Sequence, residues 1–372
     1  MKGSRPTILI LTTRTGGGHL NLAQSLKDIL DTHYNVIIAN PQSDSVERNY
    51  TLAMRHGTKL LEWQFNISDN AFISYCTQQV VRLLDHGRIF NLIQDTQPQL
   101  IITTHALLSY ACARANEKVR AHIPLVFQLT DLGRLHKTWF LEKHADAYLA
   151  PTNEIFAQTL KQSIAKDRLY LTGRPVRHQF IETSVYRKDE TLATLDFDPT
   201  VFTIFLQGGA RGSGGINQTI EAVLSPEVPV QIILAVGNND AMASRYTGID
   251  KVRVLPFTEA IAPYMAASDI IAGKAGASFI SEAFMLEKPF IATACIPGQE
   301  TPNLQFIQQH NLGWVCLETR TQKELISSLV KNPAVIIEKE RSICAYKAWN
   351  VRANQHIVPI IDRLLSTSKF KN

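Results

Sequence analysis

Only five cysteines stand among the 372 residues (Cys76, Cys112, Cys295, Cys316 and Cys344), and no two form a C-x-x-C pair. That spacing excludes a zinc knuckle and a disulfide framework. No apolar run approaches the ~20 residues that a membrane-crossing helix needs. The longest, Thr7–Leu11 and Ile232–Val236, are strand-sized. The opening MKGSRPTILILTT turns polar and glycine-rich too early for a secretory signal. Charged residues make up 19% and apolar residues 45% of the chain, too much hydrocarbon for disorder or a coiled coil. The length suits two ordinary domains. These absences together predict a soluble, cytoplasmic, two-domain protein.

Charge is present but unevenly placed. Residues 1–180 carry 20 Lys and Arg against 14 Asp and Glu, while the remainder carries 18 against 19. A basic half suits an anionic partner, whether nucleic acid, phosphorylated metabolite or acidic membrane surface, and equally an ordinary solvated surface.

Strand-sized apolar runs alternate with helix-sized segments, the pattern of parallel α/β sheets. The first series has strands at Thr7–Thr13, Asn35–Ala39, Leu100–Thr104, Pro124–Leu129, Ala147–Leu149 and Leu169–Thr172. Residues 45–95 break the rhythm as a mainly helical insertion with Trp63, Phe65, Phe72 and Tyr75. After a polar stretch, Glu182–Pro199, a second series has strands at Val201–Leu206, Val230–Ala235, Val252–Leu255, Ile270–Ala272 and Phe290–Ala292. A helical end follows from about Glu338 to Leu365. Domains are expected at 1–181 and 200–340, with 341–372 a helical segment returning to the N-terminal domain. Each series opens with a strand that runs into glycines, TTRTGGGH and LQGGARGSGG. Two Rossmann-like α/β domains with such loops facing across a cleft define the GT-B architecture, whose ligands sit at the carboxyl ends of the strands.

The chemistry-bearing residues follow from those positions. Gly16, Gly17 and Gly18 let backbone amides approach an anion, although a tight turn uses glycine in the same way. Neither G-x-G-x-x-G nor G-K-[ST] is formed there, so a dinucleotide or P-loop reading is weak. His19 opens the next helix, where the positive end of the dipole disfavours imidazolium, so a neutral ring there suits a general base. Gly208, Gly209, Arg211, Gly212, Ser213, Gly214 and Gly215 offer amides, a hydroxyl and a charge to a diphosphate. Lys274 and Gly276 form a tight turn after a strand. Glu282 on the following helix can accept both hydroxyls of a ribose, or be a solvated helix residue. Gln299, Glu300 and Asn303 suit sugar hydroxyls. Asp131, at a strand end, suits a base or a group orienting His19. His19, Asp131 and His136 have no compact metal-ligand spacing. The Asp196-Phe197-Asp198 triplet lies between the series and is attributed to chance.

Taken in order, TGGGH (Thr15–His19), TDL with H-x-x-W (Thr130–Leu132, His136, Trp139), TGRPVR (Thr172–Arg177), KAG with SEA (Lys274–Gly276, Ser281–Ala283) and IPGQE-x-x-N (Ile296–Glu300, Asn303) resemble one family. It is the monogalactosyldiacylglycerol synthase and processive diacylglycerol glucosyltransferase group of inverting GT-B enzymes, related to the peptidoglycan GlcNAc transferase. The resemblance implies a UDP-sugar on the C-terminal domain. Uracil would meet the backbone near Pro256–Thr258 (Phe257, Thr258), the pyrophosphate the second glycine loop, the ribose Glu282, and the hexose Gln299, Glu300 and Asn303. It also implies diacylglycerol arriving from an anionic membrane on the basic N-terminal side, with Trp63 and Phe65 at the lipid.

The chain departs from the family at Arg14, where Asp is common, at Leu20, where Arg is common, at Ser278 and Phe279, and at Arg174, where a hydrophobic residue is usual. The first departure shifts weight onto Asp131 as partner of His19. The resulting expectation is transfer of galactose or glucose from UDP-galactose or UDP-glucose to diacylglycerol, at the membrane periphery. His19 and Asp131 would be catalytic, with no cofactor, no metal and no nucleic acid. Alternatives are another lipid-linked sugar transferase, a UDP-sugar 2-epimerase and a non-catalytic UDP-sugar sensor.

Overall fold

The computed structural model describes residues 5–13, 17–42, 65, 67–119, 122–208, 216–224 and 229–368. These fall into two compact units. The first comprises Met1–Arg177, Pro297–Pro302 and Trp349–Asn372; the second comprises His178–Ile296 and Asn303–Ala348.

The first unit is built on a parallel sheet of β1 (Thr7–Leu11), β2 (Asn35–Ala39), β3 (Leu100–Thr103), β4 (Leu125–Gln128), β5 (Ala147–Ala150) and β6 (Leu169–Leu171), in the order β2-β1-β3-β4-β5-β6. Strands buried on both faces read as unbroken apolar runs. TILIL, LIIT and LVFQ are such runs, and β3 and β4 are buried throughout. Successive side chains point to opposite faces, so each strand feeds two cores. Leu9, Leu11, Ile101 and Phe127 pack beneath α2 (Ala71–Thr96) and α3 (Ala106–Asn116). Ile8, Ile10, Ile102 and Val126 pack against α1 (Gly18–Leu30) and the C-terminal helix α13 (Ile357–Ser368). The end of the chain thus returns to the first sheet, as the sequence suggested. Ile357 and Ile361 are fully buried there, worth about 1.5–3 kcal/mol each.

The second unit repeats the plan with β7 (Phe202–Gln207), β8 (Val230–Gly237), β9 (Val252–Pro256), β10 (Ile270–Lys274), β11 (Phe290–Ala294) and β12 (Gly313–Val315), ordered β12-β11-β10-β7-β8-β9 and all parallel. Its helices include α9 (Ala277–Met285), α10 (Thr301–Gln309) and the first part of α12 (Ala334–Asn354), whose residues from Trp349 onward belong to the first unit. No helix among the described residues is long and apolar enough to cross a membrane.

Candidate active site

In each sheet the chain starts at one strand and winds outward in both directions, which opens a ligand site at the carboxyl ends of the two strands where the direction reverses. In the first unit those strands are β1 and β3. Beyond them, the Thr104 hydroxyl donates to the Thr12 hydroxyl at 2.8 Å, joining the two strand ends. Gly17, with φ 76°, turns the chain from β1 into α1 in a left-handed conformation that favours glycine. Gly18 and His19 then form the first residues of that helix.

His19 Nδ1 lies 2.8 Å from the Thr104 carbonyl oxygen. A carbonyl only accepts, so Nδ1 carries the proton and Nε2 of the neutral ring presents a lone pair. The ring packs edge-on against His105, with centroids 4.3 Å apart. His105 Nδ1 accepts from the Leu107 N–H at 3.1 Å, capping α3, so its own proton sits on Nε2. Burial drives the His19 pKa down to about 4, and the positive Arg174 pushes the same way against the Thr104 carbonyl. Burial, and then His19, hold His105 well below the usual range. Both rings are therefore neutral at neutral pH.

Asp131 follows β4. Burial raises its carboxyl to about 6; Arg174 and the Thr130 hydroxyl pull it down, and Glu300 raises it. The Thr130 hydroxyl donates to Asp131 Oδ2 at 3.4 Å. The orienting role expected of Asp131 is filled differently: the Thr104 carbonyl already holds His19 Nδ1. The physical reason is topological, because β3 is the strand beside β1 and its end meets α1 first. What His19 and Asp131 share is Arg174, a buried residue whose Nη1 donates to the Thr130 carbonyl.

Arg174 is braced from behind. Its N–H donates to Asn350 Oδ1 at 2.7 Å, Asn350 Nδ2 donates to its carbonyl at 2.9 Å, and Asn354 Nδ2 donates to the Thr172 carbonyl at 2.8 Å. Neither His105 nor the two asparagines were expected in the site from the sequence. A Thr-Thr-His at a strand end was the available signal for His105. His136 belongs to a packing knot: its Nδ1 accepts from the Thr138 N–H, its Nε2 sits 3.1 Å from Ser68 Oγ, and Phe65 meets its ring edge-on. Phe65 is thus half-buried in the protein, and Trp139 is buried beside Phe127.

In the second unit the reversal lies between β7 and β10, and the glycine text falls on both strand ends. Gly208 follows β7. Gly273, with φ 154°, precedes Lys274, and a Cβ there would stand 2.1 Å from the Gln207 carbonyl oxygen of β7, so only glycine fits. The Lys274-Ala275-Gly276 turn leads into α9, and Asn303 Nδ2 braces it by donating to the Ala275 carbonyl at 3.0 Å. Glu282 is only 7% exposed, so it is not a solvated helix residue. Phe279 packs between Phe205 and Phe290, with centroids 6.2 and 5.3 Å away. That half-buried ring thus packs against two buried aromatics. Phe257 is exposed after β9, and Thr258 Oγ1 accepts from the Ala260 N–H.

Gln299 and buried Glu300 group with the first unit, where Glu300 acts on Asp131. Asp198, the end of the D-x-D triplet, caps its own turn by accepting from the Thr200 N–H and hydroxyl. Arg14, Gly16, Trp63 and residues 209–215, with Gly209, Arg211 and Ser213, lie outside the described residues. Among the described residues, no three His, Cys, Asp or Glu side chains gather as a metal-ligand set.

Comparison with known proteins agrees with this layout. The solved S. aureus MnaA–UDP co-structure superposes with a TM-score of 0.67 at 13% identity, covering 97% of each chain. Anabaena HepE in complex with UDP and glucose gives 0.61 at 15% identity over 96% of this chain and all of the other. At such identity these establish the fold, which is GT-B. Monogalactosyldiacylglycerol synthase 2 of Arabidopsis thaliana, a chloroplastic protein, is 26% identical over 341 residues, 85% of this chain and 71% of its own length. Residues 203–345 match the glycosyltransferase family 28 C-terminal domain. Residues 19–176, which hold His19, His105, Asp131 and Arg174, match the monogalactosyldiacylglycerol (MGDG) synthase family, and the chain is a hexosyltransferase similar to that family.

Proposed function

We propose that this chain transfers galactose or glucose from a UDP-sugar to the hydroxyl of diacylglycerol, with inversion to a β-glycoside. The observation that carries this reading is His19: a neutral imidazole at a sheet reversal point, with Nδ1 committed to a carbonyl and Nε2 left to accept a proton. In the proposed step, the acceptor oxygen bonds to the sugar C1 from the face opposite UDP. Its proton passes to His19 Nε2, and the C1–O bond to the β-phosphate breaks.

The departing UDP would be met by the glycine-rich stretch of sequence that begins at Gly208 and by Lys274, electrostatic stabilisation of the kind that contributes most to such reactions. Phe257 and Thr258 would take uracil, Glu282 the ribose, and Gln299 and Glu300 the hexose, while Asn303 holds the turn before α9. Family relatives named for monogalactosyldiacylglycerol synthesis, and solved proteins of this fold carrying UDP, support the donor and acceptor classes.

The exposed side of α2 supports a lipid-facing surface. Phe72, Val80, Leu83 and Leu84 lie on one helical face with Tyr75 on its flank, and Phe72 and Leu83 are 73% and 74% exposed. That face and the basic half support peripheral association with an anionic membrane, at about 1 kcal/mol per well-placed cation.

The test is product formation from labelled UDP-galactose and UDP-glucose with dioleoylglycerol vesicles, with linkage determined by NMR. A β-linked glycolipid, lost in His19→Ala, is expected. Epimerised donor without acceptor, or UDP binding without turnover on any lipid, would overturn the reading.

A further inference from the structure

Arg174 is a buried charge, only 3% exposed. A charge carried into the interior requires an opposite charge close by and hydrogen bonds for its N–H groups. The Thr130 carbonyl supplies one acceptor, and the carboxylate on which the guanidinium acts is that of the next residue, Asp131. The same guanidinium acts on His19, which reaches this place from the other side of the sheet reversal.

Nothing in the local chain alone would keep the arginine there. Gly173 adopts φ 69°, and the two asparagines of α12 hold the backbone on either side of it through the three hydrogen bonds already described. The end of the chain therefore fixes, 176 positions away in sequence, the residue that connects the two candidate catalytic side chains.

We propose that Arg174 is a positioning residue of the acceptor site: its guanidinium is anchored on the Thr130 carbonyl beside Asp131, Asn350 and Asn354 hold the backbone from which it extends, and its charge keeps His19 Nε2 open to a proton. The assignment rests on reading His19 as the base.

Two neighbourhoods decide the sign of its effect. His19 contacts His105 and the Thr104 carbonyl and feels the charge of Arg174; Asp131 accepts from the Thr130 hydroxyl and feels the charges of Arg174 and Glu300. In both, the arginine is the cation that disfavours protonation. Removing its charge lets both groups hold a proton to higher pH, so the acidic limb of the rate profile must move up. A nearby unit charge moves such groups by about one pH unit or more, roughly a tenfold loss of rate at a fixed pH on that limb.

The experiment measures kcat and KM against pH for the intact protein and for R174M, R174Q, R174K and H19A, with UDP-sugar and dioleoylglycerol vesicles. The limb should rise by about one unit in R174M and R174Q, with little change in KM for the UDP-sugar, and return in R174K. R174Q retains an N–H for the Thr130 carbonyl, so it reads the charge even if R174M does not fold. R174K keeps the charge and reads the same limb independently. An unmoved limb in R174Q, a uniform loss of rate at every pH, or a raised limb in R174K overturns the proposal. Undiminished turnover in H19A overturns the reading of the base instead, and so separates the two failures.

Discussion

Gly173→Ala tests whether α12 truly sets the site in the first unit. An L-residue at φ 69° sits in the left-handed region, at about 1–2 kcal/mol. The new Cβ would stand 2.6 Å from Asn350 Oδ1 and 2.8 Å from Asn354 Nδ2, well inside contact distance. Both amides must retreat, and both are buried. Each buried group left without its partner costs about 1–3 kcal/mol. With two of the three hydrogen bonds weakened, and about 0.4–1 kcal/mol regained from the stiffer unfolded chain, the net loss is about 3–4 kcal/mol. For a unit of this size that corresponds to a fall in Tm of roughly 10 °C.

Scanning calorimetry of G173A, N350A and the double variant provides the assay. Removing the Asn350 side chain vacates the space that the new methyl enters. The double variant should therefore lose less than the sum of the singles by at least about 1 kcal/mol. Strict additivity, or a G173A shift below about 3 °C, would refute the reasoning.

Other consequences concern donor, lipid and proton. Glu282→Gln should raise KM for the UDP-sugar ten- to a hundredfold, the worth of a charged hydrogen bond at about 1.5–3 kcal/mol, while Tm stays within a few degrees; an unchanged KM removes Glu282 from the ribose. The triple variant F72S/L83S/L84S should keep its Tm, because these side chains are exposed, yet lose at least about a hundredfold in partition to anionic vesicles, since each inserted side chain contributes about 1.5–3 kcal/mol. Equal sedimentation with vesicles would reject α2 as the lipid face.

The stability linkage of the acidic pair is also testable. His19, depressed to about 4, contributes stability that is lost as pH falls below its ordinary 6.5. Asp131, raised to about 6, binds its proton in the folded state first and so contributes in the opposite sense as pH falls from about 6 toward 3.8. In Asp131→Asn this offset is gone, so Tm should decline more steeply between pH 6.5 and 4.5 than in the unaltered protein. Parallel declines would contradict the shifts.

The central strands were legible because fully buried parallel strands must be continuous apolar runs, and TILIL, VQIILAVG and IIAGK read as such. The edge strand β12 was not, since Gly-Trp-Val has three residues and no alternation, and pairs only because β11 lies beside it. Glycine positions could be read as turns at strand ends, and Gly17 and Gly273 do adopt positive φ. Side-chain direction could not. Phe279 sits in the midst of the KAG–SEA text yet packs half-buried against Phe205 and Phe290, and Asn303 faces a turn carbonyl.

By itself the sequence determined the two α/β series, the strand ends that carry glycine, the family pattern and the identity of His19 and Asp131 as candidates. Those follow from local rules, apolar periodicity and backbone freedom, which act within a few residues. Tertiary structure decided which groups answer to which. The carbonyl holding His19 is 85 positions away, and the Asn350 amide holding the Arg174 backbone is 176 positions away. Sheet order brings such residues together, and burial there shifts charge states in ways that no local spacing encodes.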